Sequence, residues 1–149
     1  CIIHKAFNAI HNNNKFSMKK VKDHLNEQRY WDIFTITETA SLFDAAKLMH
    51  KNKIGALMIS KGDVAKLSKS SIVGILTERD IVYALSAGPE AIGEKKVSDF
   101  MTKKLIFTCP DTSNDDAKKL MLENQIRHLP VFSDEHLVGI VSMRDVFNS

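Results

Sequence analysis

Gly74-Ile75-Leu76-Thr77-Glu78-Arg79-Asp80 returns 65 residues further on as Gly139-Ile140-Val141-Ser142-Met143-Arg144-Asp145. Each stretch runs from apolar residues, through a hydroxyl residue suited to capping a helix, to an Asp three positions later. Upstream the match continues at an offset of 72: Ser41, Asp44, Ala45 and Lys47-Leu48-Met49 fall on Ser113, Asp116, Ala117 and Lys119-Leu120-Met121. Asn52, Ile54 and Leu57 fall on Asn124, Ile126 and Leu129, so the first copy carries seven extra residues between its two matched blocks. Further upstream Val21, Asp23 and Leu25 match Val97, Asp99 and Met101 at an offset of 76. Internal repetition of this kind decides the architecture before any motif does.

Each copy reads as the same string of elements. Ser41 and Ser113 are N-caps, each followed by an acid that can reach back to the free amide. Leu42, Ala45, Ala46 and Met49 then recur at the spacing of one buried helical face, as do Ala117, Leu120 and Met121. Two apolar runs follow in each copy and read as strands: Ala56 to Ile59 with Ile72 to Leu76, and His128 to Phe132 with Leu137 to Val141. Ser60 to Ser71 makes a long polar connection where Ser133 to His136 makes a tight turn, which puts the seven extra residues in a hairpin loop. Glu78 to Leu85 and Met143 to Phe147 close the copies as helices capped by Thr77 and Ser142. A short opening strand is expected in each, at Asp32 to Ile36 and at Leu105 to Thr108.

The expected fold class is therefore α/β (α+β): two tandem repeats, each a small three-stranded sheet with two main helices, packed as a pseudo-twofold pair. The repeats span 21–92 and 93–149, behind an extension over 1–20. A unit of roughly 60 residues buries little core alone, and junctions between such units are where small ligands bind.

Composition narrows the function. The 149 residues are 44% apolar and 26% charged, the profile of a soluble globular chain, and no run of about 18 apolar residues could insert in a membrane. A net charge of +3, with lysines scattered through every segment, argues against a nucleic-acid surface. Cys1 and Cys109 are too few for a disulfide framework or a thiolate metal site; Cys109, beside Pro110, reads as a half-buried thiol in a reducing compartment. His128 has no second ligand at metal spacing, so no metal is expected. Nor is there a nucleophile elbow, a P-loop or a Ser-His-Asp set, so the chain is expected not to be an enzyme. From Cys1 to Lys22 there is no acid; we read a Lys- and Asn-rich tail and a cytoplasmic protein, with a mitochondrial targeting segment as the alternative.

The duplicated motif suits a nucleotide. Amides and a Thr77 or Ser142 hydroxyl at a helix start can receive a phosphate; Asp80 and Asp145 can accept hydrogen bonds from a ribose diol, as acids do in other nucleotide folds. Three of the four arginines, Arg79, Arg127 and Arg144, fall in these motifs, and a planar guanidinium grips phosphate bidentately. A hydroxyl three residues before an Asp is also an ordinary helix start; duplication with Gly and Arg is what favours a site.

These residues resemble the paired glycine, hydroxyl and aspartate signature of CBS domains, which come in tandem as Bateman modules. The resemblance covers about residues 21 to 149. Val97-Ser98-Asp99-Phe100-Met101-Thr102 is similar to the family's linker helix, and Asn124 to Val131, including Pro130, to its strand opening in stand-alone two-CBS proteins. The resemblance implies a regulatory module with no required cofactor that binds AMP, ADP, ATP, NAD or S-adenosylmethionine between its repeats. It further implies that Asp80 and Asp145 hold ribose, that Thr77 and Ser142 hold ribose or phosphate, and that backbone at Ile54, Gly55 and Ala56 and at Ile126, Arg127 and His128 reads adenine. Thr37 and Thr108 would line the same pockets. Side-by-side homodimers and a regulated enzyme or transporter are the implied partners. The alternative is a ligand-free scaffold that docks through its sheet faces and the Tyr30-Trp31 pair. Glu38 against Pro110, and Glu78 against Met143, are where the copies depart from each other.

Overall fold

Why the chain folds as it does is clearest at the helix starts. Ser41 sits in extended backbone, φ −75° and ψ 153°, and its hydroxyl oxygen accepts the Asp44 amide at 3.0 Å. Ser113 does the same for Asp116 at 3.1 Å. Each satisfies an amide that the helix itself leaves without a partner.

The computed structural model describes residues 19–27 and 33–147. In chain order the elements are α1 (Val21–Glu27), β1 (Thr35–Thr37), α2 (Leu42–Asn52), β2 (Ala56–Ser60), β3 (Ile72–Thr77), α3 (Glu78–Ser86), α4 (Glu90–Glu94), a short 3-10 turn (Val97–Asp99), α5 (Asn114–Glu123), β4 (His128–Ser133), β5 (His136–Ser142) and α6 (Met143–Phe147). Helices and sheets are mixed throughout, in an α+β arrangement of two repeats. The Tyr30-Trp31 pair and nearly all of the 1–20 extension lie outside the described residues.

The chain forms two compact units. The central unit is Ile33–Leu105; the split unit joins the described residues before it to those from Ile106 onward. The compact units thus cross the sequence repeats: α1, which opens the first repeat, is part of the split unit, and the turn at Val97–Asp99, which opens the second, is part of the central one.

In the central unit β1 runs parallel to β2, and β2 antiparallel to β3. The core behind this sheet is built from Leu42, Ala45 and Met49 of α2, Leu57 and Ile59 of β2, Leu76, Ala84 and Val97. In the split unit β4 and β5 form an antiparallel hairpin, backed by Ala117 and Met121 of α5, Leu129, Val131, Val141 and Val146, with Val21 and Leu25 of α1 in the same cluster. His24 of α1 is 4% exposed and bonds Asn114 across 2.9 Å. On the surface Asp111 meets Lys22 at 2.9 Å and Lys20 at 3.6 Å. The hydrogen bond and charge of Lys22 hold the Asp111 carboxyl below its ordinary range, and Asp111 raises Lys22 in return. Whatever this exposed pair contributes is present above the ordinary carboxylate range and fades as pH falls through the lowered value. Screening keeps such pairs weak.

The expected third strand of the split unit is corrected. Residues 105–107 form no strand, and only Thr108 bridges, in parallel, to Val131. The Thr108 amide donates to Pro130 O, and the Phe132 amide to Thr108 O, both at 2.9 Å. The next donor in that ladder would be residue 110, a proline with no N–H. At the matching place of the central unit Glu38 does donate, to Ser60 O at 3.1 Å. On the other side of the ladder the Met58 amide donates to Phe34 O at 3.1 Å, where its counterpart is Pro130, again without an N–H; two prolines thus leave Thr108 as a lone bridge.

Candidate functional site

The hydroxyl and the aspartate of each motif come together at the end of a strand. In the central unit Asp80 Oδ2 accepts from the Thr77 amide at 2.7 Å and from the Thr77 hydroxyl at 2.8 Å. In the split unit Asp145 Oδ2 accepts from the Ser142 amide and the Ser142 hydroxyl, both at 2.7 Å. The Asp145 amide donates back to Ser142 Oγ at 3.3 Å. Each carboxylate is half-buried and held in one orientation.

A capping role accounts for these bonds locally. Ser41 with Asp44, at 2.7 Å, and Ser113 with Asp116, at 2.8 Å, make the same hydroxyl-to-carboxylate bond at the starts of α2 and α5. What sets Thr77 and Ser142 apart is their surroundings. The Glu78 amide donates to Gly55 O at 3.1 Å, and the Met143 amide to Arg127 O at 2.7 Å. Ala56 is the sheet partner of Thr77, and His128 of Ser142. Each helix start is thereby tied to the backbone that opens the preceding strand. The result is two equivalent mouths, one of Ile54, Gly55, Ala56, Thr77 and Asp80, the other of Ile126, Arg127, His128, Ser142 and Asp145. Arg79, Arg127 and Arg144 are exposed beside them.

Two expectations are modified by this geometry. The first two amides of each helix start, at Thr77 and Glu78 and at Ser142 and Met143, already have acceptors inside the chain; an anion gains less there than at an open helix end. Within each unit, moreover, Thr37 and Thr108 are not brought to the mouth. Thr37 pairs with Ser60 while Thr77 pairs with Ala56, four residues apart on β2, about 13 Å at the usual rise. A parallel β1 ends where β2 ends, whereas an antiparallel β3 ends where β2 begins. Thr108, 4% exposed, lies against Val131, and Pro130 is buried beside it. His128 is half-buried, and no cluster of three metal-ligating side chains occurs among the described residues. Cys109 is half-buried, as expected.

The motif glycines have a role that sequence reasoning missed. A Cβ on Gly74 would lie 2.8 Å from Met101 Sδ and 2.9 Å from Thr102 O; one on Gly139 would lie 2.5 Å from Leu25 Cδ2. Both glycines admit the crossed-over opening segment of the other repeat. The matched pair of Leu25 and Met101 is the signal that pointed to it.

Helix, sheet and duplicated mouth define a class of paired modules, and comparison with known proteins names it. The model of the CBS domain matches residues 22–87 and 97–149, and the chain belongs to the CBS-domain family. It is 33% identical over 129 residues to the CBS domain-containing protein YhcV of Bacillus subtilis, covering 87% of this chain and 84% of that one. The crystal structure of the CBS-domain containing protein ATU1752 from Agrobacterium tumefaciens superposes with a TM-score of 0.80 at 30% identity, covering 93% and 98% of the two chains. The CBS domain pair of MJ0100, solved in complex with 5-methylthioadenosine and S-adenosyl-L-methionine, superposes at 0.71 with 28% identity, covering 88% and 94%. The chain spans 52% of a mitochondrial CBS domain-containing protein of Arabidopsis thaliana, to which it is 36% identical over 112 residues. It spans 22% of the inosine-5'-monophosphate dehydrogenase of Korarchaeum cryptofilum, at 32% identity over 117 residues. The likeness to that enzyme is thus confined to a CBS segment. The CBS pair described here is a regulatory unit and not an enzyme. Among the described residues no helix is long and apolar enough to cross a membrane.

Proposed function

We propose that the two mouths bind an adenosine-containing ligand (AMP, ADP, ATP, NAD or S-adenosylmethionine) and that binding regulates a partner enzyme or transporter. The observation that carries this reading is the duplicated lock on the carboxylate: a single oxygen of Asp80, and of Asp145, takes both bonds from the neighbouring Thr or Ser. A carboxylate so oriented can accept a ribose diol without first being ordered, which lowers the cost of binding. Thr77 and Ser142 would contact ribose or phosphate, and the exposed Arg79, Arg127 and Arg144 would supply the phosphate charge. Backbone at Ile54, Gly55 and Ala56 and at Ile126 and His128 would read adenine through a donor and an acceptor. The reading rests on the mouth residues and not on Thr37, Thr108 or Pro130. That the MJ0100 pair holds S-adenosyl-L-methionine supports the ligand class.

The test is a thermal-shift and calorimetry panel of AMP, ADP, ATP, NAD and S-adenosylmethionine. A ligand at 100 times its dissociation constant adds about 2.7 kcal/mol of stability. That increment is expected for at least one member of the panel and is lost in the Asp80→Ala, Asp145→Ala double variant. Because both changes also remove cap bonds, the readout is the ligand-dependent increment and not the stability itself. No heat and no increment with any of them would defeat the reading.

A second reading is a ligand-free dimerisation scaffold, favoured by large apolar side chains left in the open: Val82 is 66% exposed and Tyr83 71%, both on α3. Sedimentation of the ligand-free chain as a dimer, with Tyr83→Glu sedimenting as a monomer, would support it. As compartment we propose the cytoplasm, with a mitochondrial address as the alternative to which the Arabidopsis relative points; a fluorescent fusion carrying residues 1–22 decides between them.

A further inference from the structure

We infer that residues 95–102 are a regulatory strap for the mouth of the central unit, tightened when that mouth is filled; the inference rests on the ligand reading above. The strap is seated on three elements of the central unit, of which β3 and α3 carry the mouth and the turn after β1 lies at the other end of the sheet. Toward the turn that follows β1, Leu42 N donates to Lys95 O at 3.1 Å, Val97 N to Ala40 O at 2.8 Å and Ser98 N to Glu38 O at 3.0 Å. Toward β3, Ile75 and Thr102 exchange both backbone bonds, at 3.0 and 2.9 Å, two residues before Thr77. Toward α3, whose first turn contains Asp80, Phe100 meets Tyr83 edge-on with ring centroids 6.4 Å apart. Val97 is fully buried beneath these contacts.

The same strap is the last stretch of the central unit before the chain passes to the split one. Its attachment is uneven. Between the bonds at Val97 and Ser98 and the bridge at Thr102 the strap is held to the rest of the unit by side-chain packing, Phe100 against Tyr83 and Met101 against the bare backbone of Gly74. A segment held by a few backbone bonds opens more readily than the strands it crosses. A ligand that joins β3 to α3 through Thr77 and Asp80 fixes two of the three surfaces on which the strap is seated. It therefore binds the strapped state more tightly than the loosened one, which is the condition for a shift in population. By reciprocity, loosening the strap weakens the ligand by the same factor.

The experiment uses the Asp145→Ala chain, so that only the central mouth remains, and follows amide hydrogen exchange at Val97, Ser98 and Thr102 with and without saturating AMP and, separately, S-adenosylmethionine. Exchange at all three is expected to slow by about five-fold or more with a ligand that binds, the lower end of ordinary coupling. Met101→Ala should weaken that ligand by a matching factor. Binding with unchanged exchange at these three amides overturns the strap and leaves the ligand reading standing. If neither ligand binds, ADP, ATP and NAD replace them in the same measurement; if none of the five binds, in this chain or in the wild type, the ligand reading falls and the strap falls with it. Slowed exchange that persists in Asp80→Ala would place the ligand elsewhere and overturn the strap as drawn. Should Met101→Ala fail to fold, Met101→Leu with the same exchange measurement replaces it.

Discussion

Replacing Gly74 with Ala would set a methyl group 2.9 Å from the Thr102 carbonyl as well as 2.8 Å from Met101 Sδ. The sulfur can rotate away, but the carbonyl belongs to backbone that bonds Ile75 and cannot. At Gly139 the obstacle within 3 Å is Leu25 Cδ2, the far end of a flexible side chain. Overpacking that backbone must absorb costs typically 1–3 kcal/mol. Gly74→Ala is therefore expected to lower stability by about 2 kcal/mol and Gly139→Ala by less than about 1 kcal/mol, an order that urea unfolding of the two variants checks. These glycines were legible from the sequence as parts of a motif, yet their use was not. A glycine just before a hydroxyl and an acid reads as room for a ligand, and only the fold shows that the room is taken by Met101 and Leu25.

Among the elements, those with local causes were legible. Ser41 and Ser113 cap α2 and α5 as expected, and β2 to β5 and the closing helices begin and end within one residue of the apolar runs that implied them, whereas β1 is the shorter Thr35–Thr37 in place of the expected Asp32 to Ile36. The single-residue pairing at Thr108 was not, because prolines at 110 and 130 matter only once the two stretches are known to be partners. The ends of α2 and α5 were equally silent. Lys53 follows α2 with φ 54°, and Gln125, its counterpart, lies just past α5 with φ 55°. Neither residue announces a left-handed turn, which Gly adopts freely and other residues adopt at a cost. Lys53→Gly and Gln125→Gly are each expected to raise stability by about 0.5–1 kcal/mol. Calorimetric midpoints of the two variants test this, and a lower midpoint in either would mean that its side chain contributes more than the turn costs.

For the molecule as a whole, each core depends on residues distant in sequence. Leu25 is 4% exposed and packs with Val141 and Val146, more than a hundred residues later in the chain. Leu25→Ala should cost about 2–5 kcal/mol, the usual range for a buried leucine. The loss should fall on the split unit: amides of β4, β5 and α5 should exchange faster, while those of β2 and β3 change little. Uniform acceleration through both units would show that the loss is not local. The exchange of opening segments was hidden in the sequence because apolar spacing marks which side of Val21 and Leu25 is buried, but not against what.

That exchange also sets an order of events on the ribosome. The helix at Val21–Glu27 leaves the tunnel well before the strand and helix that receive it, β5 and α6, which are made more than a hundred residues later. At about 5–20 residues per second the interval is on the order of ten seconds. For that long a nascent chain presents Val21 and Leu25 uncovered, open to a chaperone or to a finished neighbour translated from the same message.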